Sequence, residues 1–106
     1  MSGSYFSQTI KSSKKRNLKF QITKEYMWSL FLKQNEKCAL TGVQLKFDSC
    51  QKNRDGNASL DRIDSTKGYT IDNIQWIHKI INIMKQDLTE TEFINWCKLI
   101  CERSLS

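Results

Sequence analysis

The stretch ASLDRIDSTKGYTIDNIQWIHKIINIMK (residues 58–85) constrains the fold most, because two different hydrophobic periods follow each other within it. Residues 58–64 alternate as a short β-strand does, and the Lys-Gly-Tyr sequence within residues 65–70 is typical of a turn. From Asp72 onward the apolar residues recur at helical spacing, which predicts a helix over 72–86. Its apolar face consists of Ile74, Ile77, Ile80, Ile81 and Met84. The segment therefore predicts a strand–turn–helix unit.

A second helix is predicted over residues 24–37, ahead of the strand. Thr23 is a suitable N-cap for it, and Ile22 and Met27 have the spacing of a hydrophobic staple. Its apolar stripe consists of Tyr26, Met27, Leu30 and Phe31. Residues 38–47 include a glycine and an alternating Val-Gln-Leu-Lys-Phe run, which predicts a short extended segment or hairpin.

The sequence Thr-Glu-Thr-Glu at residues 89–92 is a capping box that opens a last helix. The apolar stripe of this helix consists of Phe93, Trp96, Cys97, Ile100 and Cys101. We expect Trp76 and Trp96 in the core, because both lie on or beside apolar helical faces. Cys97 and Cys101 are expected to be small buried hydrophobes. Together these elements predict a small α+β domain.

The formal net charge of +6 is concentrated near the start of the chain. Residues 1–25 hold six Lys/Arg and one acid, whereas the other residues hold eleven basic and ten acidic side chains. We therefore divide the 106 residues into a flexible basic arm (1–17) and one folded domain (18–106). Such an arm suits a polyanion, because each neutralised phosphate releases counterions. The alternative is a solvated leader that only aids solubility.

The compartment follows from what the sequence lacks. No apolar run approaches the roughly 18 residues of a membrane span, and the polar N-terminus has no apolar region typical of a secretory signal. Four cysteines are present, and free thiols are the default in a reducing compartment. We therefore expect a cytoplasmic protein, in a bacterium or a phage-infected host cell, rather than a secreted one.

The second face of the helix predicted over 72–86 is polar and consists of Gln75, His78, Asn82, Lys85 and Gln86. His78 and Asn82 are four residues apart and therefore neighbours on that face. If the helix packs back on the strand, Asp61 meets them, and a carboxylate, an imidazole and an amide oxygen around one point suit a divalent cation. The alternative is a solvated helix face with a surface histidine.

The residues SLDRID (59–64), GY (68–69), NIQWIH (73–78) and Asn82 together resemble the HNH family of nucleases, whose shared core is the ββα-metal fold. The segment KCALTGVQL is similar to the one that often precedes that motif, so the resemblance covers residues 37–86. It implies that Asp61 and Asn82 bind one divalent ion, Mg²⁺ or Mn²⁺, with His78 as third ligand or as general base. It also implies that Asn73 braces the loop by bonding backbone groups; N-terminal helix capping is the alternative for Asn73.

The chain departs from the family at Arg62, which stands where members have the histidine that serves as general base. Arginine stays protonated and cannot take a proton from water. Three outcomes follow: the site has lost activity and Arg62 only clamps a phosphate; His78 or Tyr69 activates the water; or the metal does so, with Arg62 stabilising the phosphorane. For Tyr69 a purely structural role in packing or in the turn is a further alternative. We favour an active site.

The resemblance therefore implies an HNH-type, divalent-metal-dependent endodeoxyribonuclease that hydrolyses phosphodiester bonds of double-stranded DNA. A monomer would nick, and a homodimer could cut both strands. The nucleic-acid contacts are expected from basic residues of the arm and the site, namely Lys14, Lys15, Arg16, Lys67, Lys79 and Lys85. A structural zinc is not expected, because Cys38 has Thr41 rather than a second cysteine three residues on. The alternative function is a non-catalytic nucleic-acid-binding module of the same fold.

Overall fold

The computed structural model describes residues 10, 11, 13–15, 19–47 and 56–105. The elements with assigned bounds are helix α1 (Lys24–Lys33), strand β1 (Ala58–Arg62), a 3-10 turn (Ile71–Asn73), strand β2 (Ile74–His78), helix α2 (Lys79–Lys85) and helix α3 (Glu90–Ser104). The protein is a small mixed fold of helices and a two-stranded antiparallel sheet, which is compatible with the predicted α+β class. Within the described residues, no helix has the length and apolar character needed to cross a membrane.

Residues 74–78 are a strand, so the helix predicted to begin at Asp72 was placed too early. Strand β2 pairs antiparallel with β1, with Ala58 opposite His78 and Asp61 opposite Gln75. Residues 74–77 are all buried, and an apolar run buried on both faces carries no period that separates a strand from a helix. Pairing with β1 decides the matter, and the helix begins only at Lys79.

The two-stranded sheet lies between α1 and α2. On one face Trp76 is fully buried; its indole nitrogen donates to the Met27 carbonyl at 2.8 Å, and its ring lies edge-on to Phe31 and Phe47. On the other face, Asn82 of α2 donates to the Ser59 hydroxyl at 2.6 Å. Successive strand residues point to opposite faces, so Leu60 and Trp76 supply the aromatic core while Asp61 faces α2.

Helix α1 begins as predicted, with Thr23 accepting a hydrogen bond from the Tyr26 backbone nitrogen at 3.0 Å. Met27 and Phe31 are buried in the core, which confirms its inner face. The helix ends at Lys33, earlier than the predicted residue 37, because Asn35 and Glu36 have φ values of 57° and 59°. Lys37 and Gln44 then form an antiparallel bridge, as expected for a hairpin in this region.

The Gln34 side chain occupies the outer edge of β2. Its amide oxygen accepts from the Trp76 backbone nitrogen at 2.9 Å, and its amide nitrogen donates to the Trp76 carbonyl at 2.9 Å. These are the two backbone groups that a neighbouring strand would bond. At this position one side chain therefore satisfies the polar groups of the sheet edge.

Helix α3 begins with the predicted capping box, but most of its apolar stripe is not buried as predicted. Thr89 accepts from the Glu92 backbone nitrogen, and the Glu92 carboxylate accepts in return from the Thr89 backbone nitrogen. Phe93 is buried, but Trp96 is 59% exposed and Cys101 is exposed as well. The assignment of Trp96 and Cys101 to the core was wrong, because an apolar stripe is buried only where the fold supplies a surface to cover it.

Part of the predicted arm is described, and it is helical at residues 10, 11 and 13–15, where the sequence predicted no regular structure. Lys14 and Lys15 are exposed there, whereas Arg16 lies outside the described residues. A parallel bridge pairs Phe20 with Tyr69.

The two tryptophans make a matched pair for testing this fold. Trp76→Ala should lower the free energy of unfolding by ~3–5 kcal/mol, because it opens a cavity between α1 and the sheet. Trp96→Ala should change it by no more than ~0.5 kcal/mol in dilute solution, because that side chain is mostly solvated. Urea titration followed by circular dichroism measures both. Equal losses would contradict the sandwich of α1, sheet and α2.

Candidate functional site

A polar pocket of about 60 Å³ lies at the end of β1, between the turn that follows this strand and helix α2. Four of the residues predicted for the site line it together: Asp61, Arg62, Tyr69 and Asn82. The other lining residues are Leu60, Ser65, Lys85 and Gln86. Three different elements therefore bring the predicted carboxylate, guanidinium, phenol and amide to one place.

Asp61 is buried, and both of its carboxylate oxygens are hydrogen-bonded. One oxygen accepts from the Lys85 ammonium at 3.0 Å, and the other accepts from the Gln75 amide at 3.0 Å. Lys85 is fully buried and also donates to the Arg62 carbonyl at 2.8 Å. Lys85 was expected on the surface as a phosphate contact; it is instead the buried partner of Asp61, because its position on α2 faces β1.

Gln75 extends this polar cluster to helix α3. It lies directly across the hairpin from Asp61, and its amide nitrogen also contacts the Glu90 carboxylate at 3.2 Å. The sequence placed Gln75 on a helix, so this cross-strand contact was missed. Alignment of 58–62 against 74–78 as an antiparallel hairpin is the signal that would have found it.

Arg62 braces the turn that forms one wall of the pocket. Its Nη1 donates to the carbonyls of Ser65 at 2.6 Å and Lys67 at 3.0 Å. Its guanidinium carbon lies 5.7 Å from the centre of the Tyr69 ring, within cation–π range. A guanidinium has five donor hydrogens, the two bonds described use Nη1, and Arg62 also lines the pocket.

Asn73 fixes the same turn from the other side. Its amide oxygen accepts from the Asp64 backbone nitrogen at 2.8 Å, and its amide nitrogen donates to the carbonyls of Asp64 at 3.0 Å and Gly68 at 2.8 Å. Asn73 thus bonds backbone groups of the loop, and no helix begins there for it to cap. Gly68 is required for close approach, because a Cβ at this position would come within 2.5 Å of the Lys19 carbonyl oxygen.

The Asp64 side chain closes the turn. It accepts from both the hydroxyl and the backbone nitrogen of Thr66, and these bonds lower the pKa of the Asp64 carboxyl from its usual range. The side chain stays close to solvent, so it organises the loop and lies away from the pocket.

His78 does not reach the pocket. It lies opposite Ala58, three residues along β1 from Asp61, which corresponds to about 10 Å. Its Nδ1 accepts from the Ile80 backbone nitrogen at 3.1 Å, so the imidazole caps α2. The predicted convergence of His78 and Asn82 was wrong, because the two residues are not on one helix.

Cys38 lies close to His78 but away from the pocket. Its buried sulfur accepts from the His78 backbone nitrogen at 3.4 Å. Burial raises the pKa of this thiol, but hydrogen bonds from Thr41 and from backbone groups outweigh it and lower the pKa overall. Thr41, the residue that replaces a second cysteine in the sequence, is thus a hydrogen-bond partner of Cys38.

The pocket can be tested for the divalent ion that the resemblance implies. Asp61 and Asn82 offer carboxylate and amide oxygens, the donors that Mg²⁺ prefers. Among the described residues no group of three or more His, Cys, Asp or Glu could hold a metal, so this pair would be supplemented by water and substrate oxygens. Asp61 and Asn82 would contribute two oxygen ligands to such an ion, and one of the Asp61 oxygens is already paired with the Lys85 ammonium at 3.0 Å.

An open groove of about 450 Å³ adjoins the pocket along α2. The two share Asn82 and Gln86, and the groove continues past Ser59 to Lys79. Lys79 and Lys67 are exposed near the two ends of this surface. In the lining of the pocket and groove together, Arg62, Lys79 and Lys85 stand against the carboxylates of Asp61 and Asp87, a small positive excess that favours an anionic ligand.

Comparisons of the chain with models of protein families, with curated proteins and with solved structures find no match.

The Asp61–Lys85 pair can be tested for its role in stability. Lys85→Met should lower the free energy of unfolding by about 3 kcal/mol, because it keeps the volume but leaves Asp61 buried without its counter-charge. In the double variant Asp61→Asn, Lys85→Met, part of this loss should be restored, because the buried negative charge is gone. The double-mutant cycle should therefore give an interaction free energy of at least about 1 kcal/mol between the two residues. Urea titration measures both.

The matched control for this pair is Lys79→Met, at the exposed start of the same helix. Its effect should stay within ~0.5 kcal/mol. Additive effects of Asp61→Asn and Lys85→Met would show that the two groups do not interact.

Proposed function

We propose that the chain is a divalent-metal-dependent endonuclease of the HNH type, acting on phosphodiester bonds of double-stranded DNA. The observation that carries the proposal is the pocket at the end of β1, where Asp61, Arg62, Tyr69 and Asn82 meet between an antiparallel hairpin and the helix that follows it. This order of two strands and a helix is the one that a ββα-metal core requires. The family assignment rests on these residues and on the motif.

Each lining residue has a role in this proposal. Asp61 and Asn82 would hold one Mg²⁺ or Mn²⁺ ion, which when bound neutralises the scissile phosphate and the charge that develops on the leaving oxygen. Arg62 holds a non-bridging phosphate oxygen through the donors that its turn contacts do not use. Lys85 and Gln75 keep the Asp61 carboxylate in one orientation.

The positions of His78 and Tyr69 relative to the pocket distinguish between the two candidates for the proton acceptor. His78 caps α2 and does not line the pocket, whereas Tyr69 lines it beside Arg62. Tyr69 is therefore the side chain that we propose takes the proton from the attacking water, with hydrolysis leaving a 5′-phosphate and a 3′-hydroxyl.

The groove along α2 is the proposed path of the DNA backbone. Exposed Lys79 and Lys67 would contact phosphates on either side of the pocket, and Lys14 and Lys15 would add contacts from the N-terminal segment. Such contacts position the duplex but read no sequence. Nicking with loose sequence preference is the activity expected of one copy.

A second candidate function, DNA binding without hydrolysis, is favoured by one specific observation. Both oxygens of the Asp61 carboxylate are already hydrogen-bonded within the protein, and one of them is paired with a cation. If Lys85 excludes the divalent ion, the cationic pocket still binds a phosphate. Metal-dependent nicking separates the two candidates.

The nuclease proposal is tested by nicking of supercoiled plasmid with Mg²⁺ or Mn²⁺ and then with chelator. Asp61→Asn and Asn82→Ala should each slow nicking on the order of 10²-fold, because the first removes the negative charge that attracts the ion and the second removes an oxygen donor from the pocket. The matched controls are Asp72→Asn and Asn95→Ala, both exposed, which should leave the rate unchanged. Nicking at an unchanged rate by both pocket variants would contradict the assignment of Asp61 and Asn82 as metal ligands. Salt-sensitive binding without cleavage would favour the second candidate.

Two further variants identify the proton acceptor. Tyr69→Phe should slow nicking at least ~10²-fold, whereas His78→Asn, which keeps a good helix cap, should slow it less than tenfold. Tyr26→Phe is the control, since it also removes a tyrosine hydroxyl, one that donates to the Ile71 carbonyl at 3.0 Å. The reverse order of effects would assign the proton transfer to His78.

A further inference from the structure

Helix α3 has a narrow polar strip on one side and a broad apolar surface on the other. The polar residues Thr91, Asn95, Lys98 and Glu102 recur at spacings of three and four, so they form one narrow strip. The opposite and much wider surface is apolar; we call it the α3 face, and it consists of Phe93, Ile94, Trp96, Cys97, Leu99, Ile100 and Cys101. A helix with so wide an apolar surface is typical of a buried position.

The structure leaves most of the α3 face in contact with solvent. Only Phe93, in the first turn, is buried. The exposed fractions are 49% for Ile94, 59% for Trp96, 55% for Leu99 and 68% for Ile100. Four large side chains exposed to this degree on one helix amount to several hundred Å², which reaches the size of patches that mark an interface.

We propose that a second copy of this chain covers the α3 face, with the two α3 helices packed antiparallel about a two-fold axis. The charges of the helix favour this arrangement. Glu90 and Glu92 lie in its first turn and Arg103 lies in its last turn. Antiparallel packing places the acidic turn of each copy beside Arg103 of the other and also opposes the two helix dipoles favourably.

The same arrangement places the largest side chain where an interface needs it. Cys97 is the middle residue of Glu90–Ser104, so it lies at the axis with Trp96 beside it. An aromatic residue at the centre of an interface is the usual position of a binding hot spot. The helix is about 22 Å long, and two such helices form an interface at the small end of the specific range. We therefore expect a dissociation constant in the micromolar range.

Other occupants fit the α3 face less well. A nucleic acid needs a cluster of cations, whereas the apolar side of α3 offers Arg103 against Glu90 and Glu92. An anionic membrane surface favours helices with a Lys/Arg-rich polar side, whereas the polar strip here contains one Lys, Lys98, and one acid, Glu102. A self-complementary partner matches both the apolar surface and the opposite charges at the two helix ends.

Dimerisation does not depend on nuclease activity, although it bears on it. Glu90, in the first turn of α3, contacts Gln75, and Gln75 contacts Asp61. The proposed interface therefore lies one short hydrogen-bonded chain away from the pocket. A two-fold pair also carries two pockets, one for each strand of a duplex.

The self-association is measured by sedimentation velocity across a thousand-fold range of concentration centred in the micromolar region. The chain should pass from monomer to dimer within this range. Trp96→Ala and Ile100→Ala should each weaken the dimer at least ~10-fold. Asn95→Ala, the same kind of change on the polar strip, should leave it intact, and circular dichroism checks that every variant is folded.

The antiparallel geometry is tested with the native cysteines and a short bismaleimide linker, in a background where Cys38 and Cys50 are serine. With Cys101→Ser, the two copies should be linked through Cys97 at the axis. With Cys97→Ser, linkage should be largely lost, because the two Cys101 residues would be about 12 Å apart along the axis.

Three outcomes would overturn the proposal. One is a chain that stays monomeric over the whole concentration range, whether or not this monomer binds anionic vesicles through Trp96. Another is a dimer that Trp96→Ala and Ile100→Ala leave unchanged. The third is efficient linkage through Cys101, which would show a parallel pair. A chain that forms the dimer but does not nick plasmid would contradict the proposed nuclease activity and would leave the proposed dimer unaffected.

Discussion

The buried ion pair between Asp61 and Lys85 is the interaction on which the rest of the site depends. Two charges removed from water are tolerated only when each has its partner and its other hydrogen bonds are made. The Gln75 amide donates to the second oxygen of the Asp61 carboxylate, and the Lys85 ammonium donates a second hydrogen bond to the Arg62 carbonyl. Because these partners come from β1, β2 and α2, the pair fixes how the helix lies on the hairpin. The pocket exists only in that arrangement.

The ion pair also fixes the register of the hairpin. A slip of one residue would turn Asp61 toward the aromatic face and bring Leu60 under α2, so both the charge and the core would be lost together. Asn73 and Arg62 hold the connecting turn through five hydrogen bonds to backbone groups. The stability of the fold and the geometry of the candidate site thus rest on the same few polar contacts.

Local signals in the sequence predicted the parts of the structure that local interactions determine. Thr23 and the Thr89–Glu92 capping box were predicted because a helix start depends on residues within one turn. Strand β2 was missed, since its isoleucines fit a helical period equally well and only pairing with β1 distinguishes the two. Asp61 and Asn82 were correctly placed at one pocket, but the ion pair with Lys85 depends on that missed register. Trp96 was misplaced because a stripe does not reveal whether anything covers it.

Gln34 has a consequence for how this protein can associate. A two-stranded sheet ordinarily offers its free edges as templates to which strands of other molecules add, and such growth leads to fibres. The amide of Gln34 bonds both backbone groups of Trp76 at the middle of the β2 edge, where the Ala39 nitrogen also donates to the Trp76 carbonyl. A foreign strand would have to displace it before it could pair there. Growth of the sheet by added strands is thereby opposed at this edge of β2.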